Sequence, residues 1–332
     1  MADTYYKLIA TKLTPHFREA ADLVEEKVPR PGPGELLIRN RWAGVNATDV
    51  NITAGRYSAD PELPMDLGAE AVGEVAAVGE GVEGFSEGDA VATGGIGGGY
   101  REYQVTKARH AIPVPEASPE VLSIFVSGLT ASIALREVGR VGEGETVLVT
   151  AAAGGTGQYA VQLAKRAGSR VFGTCGSDEK VALLRDLGCD RPINYREEDV
   201  KRVLKAEAPD GLDLVYESVG RDLFDLALRQ LAVKGRLLCI GYVSEYVDGV
   251  EAVRRPRIYT QLLGRSASVH GFFLPHYREH FREHTVELLG LVRSGELEVA
   301  IDAAAFEGVR SVVDAVEYLH SGQSRGKVVV KL

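Results

Sequence analysis

The sequence predicts a two-part α/β protein, a mainly β unit joined to a doubly wound parallel sheet with helices on both faces, and three observations carry that prediction. The first third consists of short β-rich runs cut by Gly and Pro. From Thr146 onward, apolar runs alternate with amphipathic stretches. At 332 residues the chain exceeds what one hydrophobic core usually serves, and at roughly 150 residues per domain it calls for two.

Taken in order, Leu36-Leu37-Ile38 and the run over 72–78 read as strands of the first unit, which extends from Tyr5 to about Pro115. The Gly94-Gly95-Ile96-Gly97-Gly98-Gly99 cluster reads as a flexible connector with cheap turns, since no strand-to-helix change surrounds it. Strands then follow at 147–150, 171–174, 212–216, 237–240 and 267–270, with an amphipathic helix over 159–167 after the first of them. A helix is expected from His276 to about Arg293. The closing apolar run Val328-Val329-Val330 reads as a strand that rejoins the first unit. The domain division expected is 1–122 with 297–332, and 123–296.

Composition narrows the function classes. A hydrophobic fraction of 45% with 26% charged residues fits a soluble globular chain, and no uninterrupted apolar run reaches membrane-spanning length, so no membrane span is expected. The net charge of −9 sets long-range repulsion against a phosphate backbone, which excludes nucleic acid as a partner. Met1-Ala2-Asp3-Thr4-Tyr5-Tyr6-Lys7 shows no basic region followed by an apolar core, so no secretory signal is expected. Cys175, Cys189 and Cys239 are too scattered for a disulfide framework or a metal knuckle, which points to a reducing, cytoplasmic compartment. A peroxisomal address would need Ser-Lys-Leu at the end, whereas the chain closes Val330-Lys331-Leu332.

The most informative segment is Ala151-Ala152-Ala153-Gly154-Gly155-Thr156-Gly157, placed between a strand and a helix. Small residues there let backbone approach a pyrophosphate, and the helix N-terminus offers unpaired N–H groups and a positive dipole end. The alternative is tight helix–strand packing with no ligand. The second strand ends Thr174-Cys175-Gly176-Ser177, with no carboxylate at the tip to receive an adenosine ribose. Ser177 reads as an N-cap with Asp178 and Glu179 in the first turn. Lys180 and Tyr195 can supply a cation and a hydroxyl to a 2′-phosphate, which favours NADPH over NADH; the alternative for Lys180 is a solvated helix residue.

Gly44-Val45-Asn46-Ala47-Thr48-Asp49, Gly68-Ala69-Glu70-Ala71-Val72-Gly73, Gly88-Asp89-Ala90-Val91, Ser127-Gly128-Leu129-Thr130-Ala131 and the 151–157 loop together resemble the medium-chain dehydrogenase/reductases. The resemblance is to their zinc-free quinone oxidoreductase-like and prostaglandin reductase branch, and runs nearly the full length. It implies a GroES-like catalytic domain, a Rossmann domain, a homodimer, and reduction of the carbon–carbon double bond of an enone or lipid-like small molecule, with 15-oxoprostaglandins as the implied substrates. It also implies NADPH/NADP+ contacts at Thr130, Ala153, Gly154, Gly155, Thr156, Gly157, Lys180, Tyr195, Ser218, Ile240, Tyr246, Phe272, Phe273, Leu274 and Ser324. Gly176 and Ser324 stand where relatives carry serine and asparagine. Zinc-dependent relatives place cysteine at position 46 and histidine at position 69; Asn46 and Ala69 cannot replace thiolate and imidazole, so no zinc is expected. His276, His280 and His284 are spaced to stack along one helix face, but interleaved Arg and Glu make a solvated helix the expectation.

Hydride attack on an enone builds negative charge on the carbonyl oxygen, which a preorganised donor must stabilise. Tyr246, after a strand's carboxyl end, is the leading candidate, with cofactor clamping or packing as its alternative role; Tyr57 and Asn46 are secondary candidates for lining the nicotinamide and substrate. Phe272 and Phe273 suit either an apolar substrate wall or a core contact. Two further readings stand beside the enone reductase. One is an NADPH quinone oxidoreductase, and the other is a non-catalytic NADPH-binding protein of the crystallin or redox-sensing kind.

Overall fold

The structure is a computed structural model that describes residues 3–332; Met1 and Ala2, which open the stretch read for a secretory signal, lie outside the described residues. The chain divides into two compact units, one made of the described residues up to Val126 together with Ile301–Leu332, the other of Ser127–Ala300.

The first unit is built on strands β1 (Thr4–Ala10), β2 (Ala21–Lys27), β3 (Glu35–Gly44), β4 (Met65–Asp66), β5 (Glu70–Val78), β6 (Ala90–Gly94), β7 (Tyr103–Lys107) and β8 (Ile112–Pro113). β1 lies between β2 and β4 in a small antiparallel sheet. In the larger sheet β3 pairs antiparallel with β5 and β7, and β5 leads on to β6 and β8. Alternation along β3 decides its two faces. Leu36 and Ile38 pack with Val75, Val91 and Ala111, while Leu37 turns the other way to Tyr5 and Tyr103. The C-terminal strand Val329–Lys331 pairs antiparallel with the end of β3, Val330 opposite Ala43, so the tail does return to this unit.

The glycine cluster at 94–99 is not a flexible connector. The amides of Gly97 and Gly99 donate to the Gly68 carbonyl at 2.8 and 3.3 Å, and Gly95 donates to Ala69 at 2.8 Å. A Cβ on Gly99 would meet the Glu70 carbonyl oxygen at 2.7 Å. The glycines are there for backbone-on-backbone packing that shapes the Gly68–Glu70 segment, a purpose composition alone cannot separate from looseness.

The second unit holds six parallel strands, β9 (Thr146–Val149), β10 (Arg170–Cys175), β11 (Arg191–Asn194), β12 (Leu212–Glu217), β13 (Leu231–Cys239) and β14 (Ser268–Gly271), in the order β11-β10-β9-β12-β13-β14. The order reverses between β9 and β12, which is the switch point where doubly wound sheets bind ligands. Val147, Leu148 and Val149 are fully buried, as a strand covered on both faces requires. β13 begins well before the apolar run at 237. A register shift against β12 and a left-handed φ of 63° at Lys234 hide its first half from any alternating pattern.

One helix departs from expectation, and a second bears on the absence of a membrane span. The segment from 276 is broken: a 3₁₀ stretch, Leu274–His280, kinks at Tyr277, whose ring stacks on Phe272 with centroids 4.8 Å apart, and the α-helix proper is Phe281–Ser294. The helical run Pro119–Gly139 is long and apolar enough to cross a membrane by length and composition. Glu120, Arg136 and Glu137 interrupt it, and 78% of its apolar window is buried inside the protein, so it serves as core.

Candidate active site

The turn after β9 leads directly into helix Gly157–Arg166, with Thr156 immediately before it making no side-chain capping bond. Ala152 and Ala153 are buried, while Gly154, Gly155 and Thr156 are half-exposed, so their backbone lines the mouth of the switch point. A Cβ on Gly157 would run into the carbonyl oxygens of Ala151 and Ala152. Only glycine lets the helix start this close to the strand, and the Gln158 amide closes the turn by donating to the Gly154 carbonyl at 3.1 Å.

At the tip of β10, Ser177 caps helix Asp178–Asp186 by accepting the Lys180 amide, with Asp178 and Glu179 in the first turn as expected. The nearest acid is occupied: Asp178 accepts from Asn194 Nδ2 at 2.9 Å. Lys180 is half-buried and Tyr195 is 53% exposed. Gly176 is buried, and a Cβ there would meet the Tyr195 hydroxyl at 2.6 Å. With glycine at 176 the tyrosine lies across the strand tip; a larger residue there would move its exposed ring.

Glu217, at the end of β12, organises the neighbouring loop. Its buried carboxylate accepts from the amides of Val219 at 2.9 Å and Gly220 at 3.0 Å and from Thr150 Oγ1 at 3.2 Å, while the Ser218 amide donates to that same hydroxyl at 2.8 Å. Burial pushes its pKa up against these hydrogen bonds. Neither Glu217 nor Thr150 was singled out by sequence reasoning; a carboxylate directly after an apolar strand was the available signal. The Ile240 amide ties β13 to the Glu217 carbonyl at 2.7 Å.

Tyr246 differs from expectation. It is only 6% exposed, its ring meets Tyr242 edge-on at 4.7 Å, and its hydroxyl accepts the Tyr242 amide at 3.4 Å. A Cβ on Gly241 would lie 2.7 Å from that hydroxyl, so the side chain closes its own loop. This geometry suits a clamp and not a donor reaching out to substrate. Phe272 is likewise buried against Tyr277, a core contact, whereas Phe273 is 39% exposed and meets His276 edge-on. Leu274 opens the 3₁₀ stretch, and Thr130 is half-buried on helix Leu129–Ile133. Ser324 belongs to the first unit, in the turn before Lys327.

In the first unit a buried polar cluster surrounds Asn46. Lys327 Nζ donates to Glu70 Oε1 at 2.6 Å and to Asn46 Oδ1 at 2.7 Å, and Asn46 Nδ2 donates to Glu70 Oε1 at 3.0 Å and Gly44 O at 3.2 Å. Asn46 is only 8% exposed and both of its donor directions are taken, an arrangement that suits a positioning group. Beside it, Asp49 accepts the Asn46 amide at 2.8 Å and the Tyr100 hydroxyl at 2.5 Å, and its other oxygen is buried without a partner. Burial pushes Asp49 up to about 7, against the opposing pull of those hydrogen bonds and of Lys327.

The same cluster answers whether Zn²⁺ would fit where zinc-dependent relatives hold it. Ala69 offers no donor, and the oxygens of Asn46 and Glu70 already serve a buried ammonium. A dication there would face the Lys327 charge at contact distance, so the donor set does not fit.

Tyr57 presents a more open hydroxyl. It is 39% exposed, Asn51 Nδ2 donates to its oxygen at 3.0 Å, and Thr48 Oγ1 lies 2.5 Å away. Arg56 holds Asn51 through Oδ1 at 2.6 Å. A phenol oxygen that receives a hydrogen bond is a better donor itself. The histidines are not all solvated: His284 is fully buried and bonded to Ser132, while His276 is exposed.

A six-stranded parallel sheet with a glycine turn at its switch point, joined to an antiparallel unit whose polar cluster centres on Asn46 and Glu70, defines a medium-chain dehydrogenase/reductase. The chain belongs to that family, in its quinone oxidoreductase-like branch, and is an oxidoreductase. Residues 32–116 match the alcohol dehydrogenase GroES-like domain and residues 155–290 match the zinc-binding dehydrogenase domain. Among relatives, prostaglandin reductase-3 of Mus musculus is 48% identical over 99% of this chain and 90% of its own length. A probable quinone oxidoreductase of Leishmania amazonensis is 41% identical over 99% and 98%. The Escherichia coli quinone oxidoreductase complexed with NADPH superposes with a TM-score of 0.85 at 31% identity, covering 98% of this chain and all of that one.

Proposed function

We propose that this protein uses NADPH to reduce the carbon–carbon double bond of α,β-unsaturated ketones, without catalytic zinc. The observation that carries the reading is the β9 turn: a glycine where no Cβ fits starts a helix at the switch point, and Lys180 and Tyr195 flank a strand tip whose nearest carboxylate is engaged. NADPH, when bound, supplies the hydride. The turn at 154–157 would hold its pyrophosphate, and Lys180 and Tyr195 would hold its 2′-phosphate. Glu217 and Thr150 hold the Ser218 loop in place, and Tyr246 holds its own loop closed. As charge develops on the substrate's carbonyl oxygen, the Tyr57 hydroxyl donates to it, with Asn51 strengthening that donor. Lys327, Glu70 and Asn46 fix the start of the segment that carries Thr48, Asn51 and Tyr57.

The similarity to prostaglandin reductase-3 supports 15-oxoprostaglandins as the finer substrate class, and the Leishmania relative supports quinones as the competing acceptors. NADPH oxidation by the chelator-treated protein across 15-oxoprostaglandins, alkenals, other enones and quinones tests all of this at once. Turnover of enones with kcat/KM for NADPH well above that for NADH is expected. A preference for NADH, quinone turnover alone, or activity lost with the chelator would each overturn its part. The reading also includes a homodimer, supported by the outer edge of β14, which pairs with no strand among the described residues, and by the exposed side chains beside it.

A further inference from the structure

Away from the residues assigned to catalysis, the second unit brings a carboxylate and two imidazoles to one point. Glu137 lies in the helical segment Ala134–Gly139, His280 caps helix Phe281–Ser294, and His284 lies in that helix's first turn. The pair at i and i+4 shares a helix face. One ligand atom from each of the three lies within 4.8 Å of the others, with His284 Nε2 3.2 Å from Glu137 Oε1. Two ligands on a tetrahedral ion with bonds of about 2.0–2.2 Å stand at about that separation.

The hydrogen bonds around His284 fix what its ring presents. Arg136 Nη2 lies 2.6 Å from Nε2, and since a guanidinium can only donate, Nε2 accepts. The proton is then on Nδ1, which donates to Ser132 Oγ at 2.7 Å. This is the arrangement of a metal-ligating histidine, oriented through its far nitrogen with its lone pair forward. It also means that Nε2 and Glu137 Oε1 are two acceptors aimed at one place, which calls for a cation between them. Arg136 serves as that cation now, and it is oversubscribed. Its guanidinium meets Glu137 at 2.8 Å and Glu283 and Glu287 at 2.7 Å each, so three carboxylates face one positive charge. A divalent ion would balance the remaining two, while Arg136 stays on Glu283 and Glu287.

We propose that Glu137, His280 and His284 bind a divalent transition-metal ion, Zn²⁺ by donor type, which ties helix Phe281–Ser294 to the segment Ala134–Gly139 as a structural cross-link separate from turnover. The test uses the full chain, stripped with chelator and titrated with ZnCl₂ alone by calorimetry, and with Co²⁺ to read the visible band of nitrogen and oxygen coordination. One ion per chain is expected, with a zinc-dependent rise in Tm. His280→Gln, at a half-exposed cap, should weaken uptake by roughly 10–100-fold, an effect at least as large as loss of an outer-shell partner. Arg136→Gln should tighten it several-fold by removing the competing cation, and NADPH oxidation should be unchanged in both. No uptake by the wild type at micromolar zinc, uptake indifferent to His280→Gln, or weaker uptake by a folded Arg136→Gln protein would each overturn the site.

Discussion

Tyr57 and Tyr246 are both phenols near candidate chemistry, yet their surroundings assign them different work. Tyr57→Phe removes the exposed donor that Asn51 reinforces and should lower kcat by roughly 10²-fold with little change in NADPH affinity, on the scale of losing one oxyanion donor. Tyr246→Phe keeps the ring against Tyr242 and gives up the 3.4 Å bond from the Tyr242 amide, so its effect should fall on KM for NADPH and be small. Steady-state kinetics with an enone separates them, and the reverse ranking would return the donor role to Tyr246. Asp49 carries a pH dependence. Its native pKa of about 7 lies above the ordinary 3.8, so the folded protein holds a proton that the unfolded chain has released. Stability from this group is therefore complete below about pH 4, is lost as pH rises to about 7 and is flat above; the loss is on the order of a few kcal/mol. Asp49→Asn keeps an acceptor for Asn46 and Tyr100 and should flatten that slope, read as Tm against pH for both proteins. Unpaired burial at one oxygen is the cause, and nothing in the sequence discloses it. The tight turn at Ala151–Gly157 and the Ser177 cap were legible because backbone need and capping act over a few residues. Lys327 was not legible, since its partners Asn46 and Glu70 lie more than 250 residues away.

At the scale of elements, glycine separates two kinds of constraint. Gly157→Ala would force a methyl into the Ala151 and Ala152 carbonyls, at a cost of about 1–3 kcal/mol, and should weaken NADPH binding with it. Gly290, exposed in helix Phe281–Ser294 with nothing within 4 Å of the place a Cβ would take, should behave oppositely. Gly290→Ala is expected to stabilise by about 0.5–1 kcal/mol, because alanine loses less backbone freedom in a helix. Thermal melts of the two variants should move in opposite directions from the wild type; a Gly290→Ala protein that melts earlier would mean that this face is packed against something. The central strands of the parallel sheet were legible from their apolar runs, which burial on both faces demands, whereas β11, Arg191-Pro192-Ile193-Asn194, carries no such run and was not. What was lost lies where periodicity breaks for local reasons: the left-handed Lys234 in the first half of β13, the Tyr277 kink before helix Phe281–Ser294, and the packed glycines that mimic a loose loop.

For the whole molecule, the parallel sheet has an end that the fold must manage. β14 is last in the strand order, and its outer edge pairs with no strand among the described residues. Immediately before it, helix Tyr259–Arg265 leaves Leu263 83% and Tyr259 63% exposed. An edge strand beside apolar side chains is satisfied by a second copy related by a two-fold axis, because the same surface then covers itself. Sedimentation at micromolar concentration should give a dimer. The double variant Leu263→Asp with Tyr259→Asp places four carboxylates on one shared surface in place of four apolar side chains, and should sediment as a monomer. Because neither residue belongs to the β9 turn, the monomer should still bind NADPH, which keeps loss of assembly distinct from loss of the fold. If the variant remains a dimer, the β14 end is not the contact, and its exposed side chains must be covered in some other way.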